Sequence, residues 1–131
     1  MIEIYYLLLF AILIVVTILT QQLSSMFAFG LKPILGSREN LKFTGLTGRL
    51  ERAILNSVIS MSLFAPSVLV LAISDISTNQ TVIASQIFVF ARTIYVVSYG
   101  FNIILLRSAG WIVSLLCILT LYYNALILAL S

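Results

Sequence analysis

The sequence predicts an all-α integral membrane protein in which one domain, residues 1–131, forms a bundle of four transmembrane helices. Its composition is the first reason: 62% of the residues are hydrophobic and only 8% are charged, whereas soluble domains carry roughly 45–50% apolar and about 25% charged residues. The second reason is that four stretches each reach the roughly 20 mostly apolar residues needed to cross a bilayer core of about 30 Å. Lipid is the solvent in which such an apolar exterior is stable.

The four predicted spans cover residues 4–23, 53–74, 82–106 and 109–130, and each is hydrophobic on nearly all sides, as membrane helices are. The links between the spans differ in length. The first, residues 25–52, is long and polar, while the second, residues 75–80, is a short polar turn. The third is a tight turn expected near residues 102–108.

Charge placement predicts the orientation of the bundle. Five cations lie in or beside the first link, namely Lys32, Arg38, Lys42, Arg49 and Arg52. Arg107, at the third link, lies on the same side, and the opposite side holds Glu3 and Asp75 without any Lys or Arg. The positive-inside rule then places the first and third links in the cytoplasm. The net charge of +3 therefore reflects membrane topology and indicates no nucleic-acid partner.

Several kinds of chemistry are excluded by what the sequence lacks. It contains no histidine and one cysteine, Cys117, which excludes a His/Cys metal site and an intrachain disulfide. Cys117 lies in an apolar run, where we expect it to fill space rather than react. We find neither an acid/base pair, nor a Ser/His pair, nor a phosphate-binding glycine loop.

Arg92 is the most informative polar residue, because it lies near the middle of the third span, where a charge is costly. We expect its side chain to face a wet or polar cavity, or an anionic partner. Tyr95 and Tyr99 follow at i+3 and i+7, so the three residues share one face of the helix.

Further polar residues follow helical spacing at the cytoplasmic end of the bundle. Arg52 and Asn56 are one turn apart at the start of the second span, and Arg49 precedes Arg52 by three residues. Arg107 and Ser108 precede the fourth span. Convergence of these groups would create a cationic pocket suited to a ligand with carboxylates. Alternatively, Arg49, Arg52 and Arg107 each anchor a helix end to lipid headgroups.

These residues resemble the MAPEG proteins, the membrane-associated proteins in eicosanoid and glutathione metabolism. The similarity is carried by GSRE at residues 36–39 and GLTGRLERAILN at residues 45–56, which includes most of the family motif R-A-x-x-N-x-x-E. The segments LFAP at 63–66 and ARTIY at 91–95 are similar to the bacterial branch, as are Tyr99, Arg107, Ser108 and Trp111. The similarity covers essentially the whole chain.

The resemblance implies a homotrimer in the bacterial inner membrane that binds glutathione between neighbouring subunits. It implies that Arg52 and Asn56 hold the peptide part of glutathione, with Arg49 in the same binding site, and that Arg92, Tyr95 and Tyr99 line the pocket. Arg107 would be the catalytic residue that stabilises the thiolate, with Ser108 beside it. It implies no metal. A lipophilic electrophile would arrive through the bilayer.

One departure from the motif leaves the function open. The family glutamate is replaced by Ile59, which can neither pair with the glutathione amine nor support an arginine. Three hypotheses follow: a glutathione-dependent transferase or peroxidase; a non-catalytic member that binds lipid or serves as a subunit of a larger membrane complex; and a small transporter or channel subunit. The third requires a polar path along Arg92, yet the spans lack the paired breaks of transport helices.

Overall fold

The computed structural model describes residues 1–129 and 131, and in that part the chain forms five helices: α1 (Ile2–Phe29), α2 (Leu31–Leu35), α3 (Gly45–Ile73), α4 (Asn79–Gly100) and α5 (Ile104–Ala129). The four long helices are long and apolar enough to cross a membrane. The predicted all-α fold with four membrane spans is therefore confirmed. We call the end with the link 30–44 and the turn 101–103 the basic end, and the opposite end the acidic end.

The predicted helix bounds around the first link were wrong. Helix α1 continues to Phe29 instead of ending near residue 23, and α3 begins at Gly45 instead of near residue 53. Hydropathy detects contact with lipid, but the polar ends of these helices are stabilised by contact with each other. The hydroxyl oxygens of Ser24 and Thr47, for example, lie 2.7 Å apart in a hydrogen bond between α1 and α3.

The bounds of α4 and α5 also differ from the prediction. Helix α4 begins at Asn79, because Thr78 and Thr81 form a reciprocal capping box there. It ends at Gly100, and the turn that follows places Asn102 at φ 59°, a left-handed conformation that asparagine tolerates better than most residues. Arg107 therefore lies in the first turn of α5 and not in a link. The predicted end of the last span, residue 130, lies outside the described part.

The centre of the bundle is an aromatic cluster that joins three helices. Phe10 of α1, Phe64 of α3 and Phe88 of α4 are all fully buried. The rings of Phe64 and Phe88 stack with centroids 4.0 Å apart, and Phe10 meets Phe88 edge-on at 4.9 Å. Such ring pairs add to the energy of close packing, so this cluster fixes the lateral position of α4, which carries the predicted site residues.

Helices α4 and α5 approach each other closely at Gly110. A Cβ atom at this glycine would lie 2.9 Å from the carbonyl oxygen of Ala91, which is too short for any side chain. Small residues permit this approach of backbones in membrane helices. It brings the first turns of α5 against the last turns of α4.

The acidic end is held by a buried carboxyl group. Glu3 is fully buried and accepts hydrogen bonds from the hydroxyls of Ser77, at 2.8 and 3.0 Å, and Thr81. These bonds attach the start of α1 to the start of α4 at the end opposite to the predicted site.

Candidate functional site

A pocket of about 430 Å³ lies between α4 and α5 in the basic half of the bundle. It is lined by two residues of α4 and four of α5: Tyr95, Tyr99, Arg107, Ser108, Trp111 and Ile112. The close approach at Gly110 explains this grouping, because it brings the tyrosine face of α4 against the first turns of α5. Four of the predicted site residues therefore meet in one pocket.

The charged group of the pocket is the guanidinium of Arg107. Its Cζ atom lies 4.8 Å from the ring centroid of Tyr99, within the range of a cation–π contact. Ser108 is exposed, and its hydroxyl donates to the carbonyl oxygen of Ile104 at 3.0 Å. That bond leaves the lone pairs of the Ser108 oxygen available as acceptors.

Along the α4 wall of the pocket, two tyrosine rings connect Arg107 to a second arginine. The rings of Tyr99 and Tyr95 meet edge-on with centroids 5.4 Å apart. The Cζ atom of Arg92 lies 4.1 Å from the ring centroid of Tyr95. We call the row Arg92, Tyr95, Tyr99 and Arg107 the cation–aromatic ladder. The order of its first three members follows from the helical face of α4 that the sequence predicts, and Arg107 joins them from α5.

The position of Arg92 differs from the expectation that it faces a polar cavity or an anionic partner. Its side chain is 0% exposed, and it donates to Asn56 Oδ1 at 3.0 Å and to Ser57 Oγ at 2.9 Å. Both partners are neutral, and the Nε atom of Arg92 has no partner among the described residues. A buried charge is tolerated here because two hydrogen bonds and the face of Tyr95 replace its hydration.

Sequence reasoning missed Ile112, which lines the pocket, and Ser57, which holds Arg92. Ser57 is fully buried on α3, next to Asn56, but its side chain lies on a different side of the helix from Arg52 and Asn56. Only the depth of Ser57 in the membrane, which matches that of Arg92 on α4, could have indicated it.

The two arginines at the start of α3 do not line the pocket. Arg49 donates through Nε to the carbonyl oxygen of Gly100 at 3.3 Å and lines a separate groove between α1, α3 and α4. Arg52 is exposed beside Gly48. Asn56 reaches the site only through Arg92. The roles of Arg49, Arg52 and Asn56 as ligands of glutathione therefore remain predictions.

The chemistry of the pocket follows from these groups. A guanidinium offers several N–H donors to an anion, a serine oxygen offers an acceptor, and the rings of Trp111 and Tyr99 offer apolar surface. The arrangement suits a ligand that carries a negative charge next to an apolar or soft group. A thiolate and a carboxylate both meet that description.

Comparison with known proteins identifies one family. A family model described as the MAPEG family matches residues 2–127, which is nearly the whole chain and includes every residue of the pocket. The search of curated proteins and the search of solved structures give no match.

Proposed function

The chain belongs to the MAPEG family, and on this premise we propose that it binds glutathione in the pocket between α4 and α5 and transfers it to lipophilic electrophiles. The observation that carries the proposal is the position of Arg107, whose guanidinium is held over Tyr99 at the wall of a 430 Å³ pocket. A nearby guanidinium favours the anionic form of a thiol and so lowers its pKa.

The proposed reaction has two steps. The thiol of glutathione first loses its proton to water at the mouth of the pocket, since the chain has no histidine to accept it, and Arg107 stabilises the resulting thiolate. The thiolate sulfur then forms a bond to an electrophilic carbon, and the leaving group departs with its electron pair. Trp111 and Ile112, which are exposed beside the pocket, provide an apolar approach for a substrate dissolved in the bilayer.

A second cation is needed for the carboxylates of glutathione. The pocket of one subunit contains a single guanidinium, while Arg52 is exposed on α3. We propose a homotrimer in which Arg52 of a neighbouring subunit supplies that cation. We propose the bacterial inner membrane as its location, and the charge distribution supports an orientation with the basic end in the cytoplasm, where glutathione is available.

Two measurements on purified protein in mild detergent test this proposal. Addition of glutathione should produce the ultraviolet absorbance of a thiolate, because the bound thiol ionises at a pH where the free thiol does not. Addition of a chlorinated dinitrobenzene should then yield the conjugate and chloride. Absence of both the thiolate band and the conjugate, in protein that is folded by circular dichroism, would overturn the proposal.

A non-catalytic role is the second candidate, and one observation favours it. Ile59 stands at the position of the family glutamate, and its side chain is 60% exposed on the outer face of α3. An apolar residue there suits contact with lipid or with another membrane protein better than contact with a peptide ligand. Under this proposal the chain is a lipid-binding or structural subunit of a larger complex. Purification in mild detergent would then recover a stoichiometric partner, whereas an active protein without a partner would contradict it.

A further inference from the structure

A second cavity lies in the basic half of the bundle, away from the pocket that contains Arg107. It is a groove of about 420 Å³ between α1, α3 and α4, which we call the α1–α4 groove. Most of its walls are aliphatic, including Leu13, Val16, Val96 and Val97. Val16 and Val97 are more than half exposed, so the groove opens sideways on the outer surface of the bundle.

Arg49 is the one charged residue that lines this groove. Its side chain is half-buried, and its Nε atom donates to the carbonyl oxygen of Gly100, at the end of α4. This bond directs the guanidinium into the groove and fixes its orientation. The remaining N–H groups of a guanidinium form a planar fork that matches the oxygens of a phosphate.

The depth of Arg49 agrees with the depth of a lipid phosphate. Helix α3 has 29 residues, and at 1.5 Å per residue it is about 43 Å long. When α3 is taken as upright and centred in the membrane, it extends roughly 7 Å beyond each side of a hydrocarbon core of about 30 Å. Arg49, four residues after the first residue of α3, lies about 6 Å from its end, which is the boundary between headgroups and acyl chains.

The apolar part of the groove lies directly below that boundary. On α1 it extends from Thr20 near the basic end to Leu13 near the middle of the helix, a rise of about 10 Å. The order from the interface inward is a cation first and aliphatic side chains next. A phospholipid has the matching order, with its phosphate at the interface and its acyl chain below.

We propose that the α1–α4 groove is a binding site for an anionic phospholipid, with the phosphate on Arg49 and one acyl chain between α1 and α4. Charge complementarity at Arg49 and the order of the cation and the aliphatic walls favour this occupant over a second copy of the chain. No lining residue is shared with the pocket around Arg107, so lipid retention is measured separately from thiolate formation in that pocket.

The test measures lipid retention by the full-length protein. Protein purified in mild detergent is incubated with equal amounts of phosphatidylglycerol and phosphatidylcholine, washed, and analysed by native mass spectrometry. We expect phosphatidylglycerol to be retained about fivefold more strongly, the typical effect of one basic residue on an anionic lipid. Inorganic phosphate is added in a parallel sample, and it should not displace the lipid, because it lacks the acyl chain.

Three variants make the test specific. Arg49→Gln removes the cation, and Val97→Trp fills the groove from its exposed rim while it leaves Arg49 in place; both should abolish the preference for phosphatidylglycerol. Arg38→Gln removes a cation of the same end that bonds to the backbone of Ile34, and it should leave the preference unchanged. The proposal would be overturned if Arg49→Gln and Val97→Trp kept the full preference for phosphatidylglycerol, or if Arg38→Gln lost it to the same extent. Displacement of the lipid by phosphate alone would also overturn it, as would a variant whose oligomeric mass changes while its lipid retention does not.

Discussion

The guanidinium of Arg92 lies over the ring of Tyr95, with 4.1 Å between its Cζ atom and the ring centroid. The contact places a cation in the core of the bundle with an aromatic face and two neutral hydrogen-bond acceptors as its surroundings. Arg92 therefore does not line the pocket itself. It supports the tyrosine against which Tyr99 packs, and Tyr99 in turn supports Arg107.

Removal of Arg92 should weaken the attachment of α3 to α4. Arg92→Met keeps an unbranched apolar stem but loses the hydrogen bonds to Asn56 and Ser57, and we expect a loss of about 1–3 kcal/mol in the free energy of unfolding. Unfolding in mixed detergent micelles, followed by circular dichroism, measures this change. Thr93→Val is the matched control, because Thr93 is exposed and its hydroxyl bonds within α4 to Val89. Equal stability of the two variants would contradict the structural role of Arg92.

Arg107 should determine whether the bound thiol of glutathione ionises to a thiolate. Arg107→Gln removes the charge but keeps a polar side chain of similar length, and we expect the thiolate absorbance to disappear and the turnover number to fall on the order of 100-fold, as for loss of an anion-stabilising donor. Arg38→Gln, at the same end but outside the pocket, should have no effect. A normal thiolate band in Arg107→Gln would show that another group stabilises the anion.

The close approach at Gly110 should be sensitive to a single methyl group. Gly110→Ala places a Cβ atom 2.9 Å from the carbonyl oxygen of Ala91, so α5 must move away from α4, at a cost of about 1–3 kcal/mol. Arg107 and Trp111 move with α5, and glutathione binding should weaken as well. Gly100→Ala is the control, because the atom nearest to a Cβ at this position would be on the side chain of Leu46, 3.9 Å away. The expectation fails if both alanine variants unfold at the same denaturant concentration.

At the acidic end, Glu3 should contribute to stability without affecting the pocket. Glu3→Leu leaves the hydroxyl of Ser77 without its acceptor and leaves the hydroxyl of Thr81 with the carbonyl oxygen of Thr78 alone, and we expect a loss of about 1–3 kcal/mol in the free energy of unfolding. Asp75→Asn, at an exposed position, should be neutral. Thiolate formation measured on folded Glu3→Leu protein should equal that of the parent, and a decrease would indicate coupling between the two ends.

Much of the fold could be predicted from the sequence, because lipid imposes strong constraints on composition and length. Four apolar stretches indicated four helices, and helical spacing placed Tyr95 and Tyr99 on one face. The helix ends could not be predicted from hydropathy, since the polar residues at the ends of α1 and α3 are held by contacts such as Ser24 with Thr47, which only the folded bundle contains.

The lateral arrangement of the site was harder to predict for the same reason. Arg49 and Arg52 are three residues apart, so their side chains leave the helix in directions that differ by about 60°. This difference is enough to direct Arg49 to the backbone of Gly100 and to leave Arg52 exposed. The sequence also could not indicate that Arg92 bonds to Asn56 and Ser57, because the partner of a buried cation depends on which helices pack side by side.

The chain contains a single tryptophan, and the structure places it at the wall of the pocket beside Arg107. The emission of Trp111 therefore comes from one known location, without background from any other indole. Quenching by iodide, an anion, compared with quenching by neutral acrylamide would report the local positive potential directly. Occupancy of the pocket can thus be followed optically in the unmodified protein, without a labelled ligand.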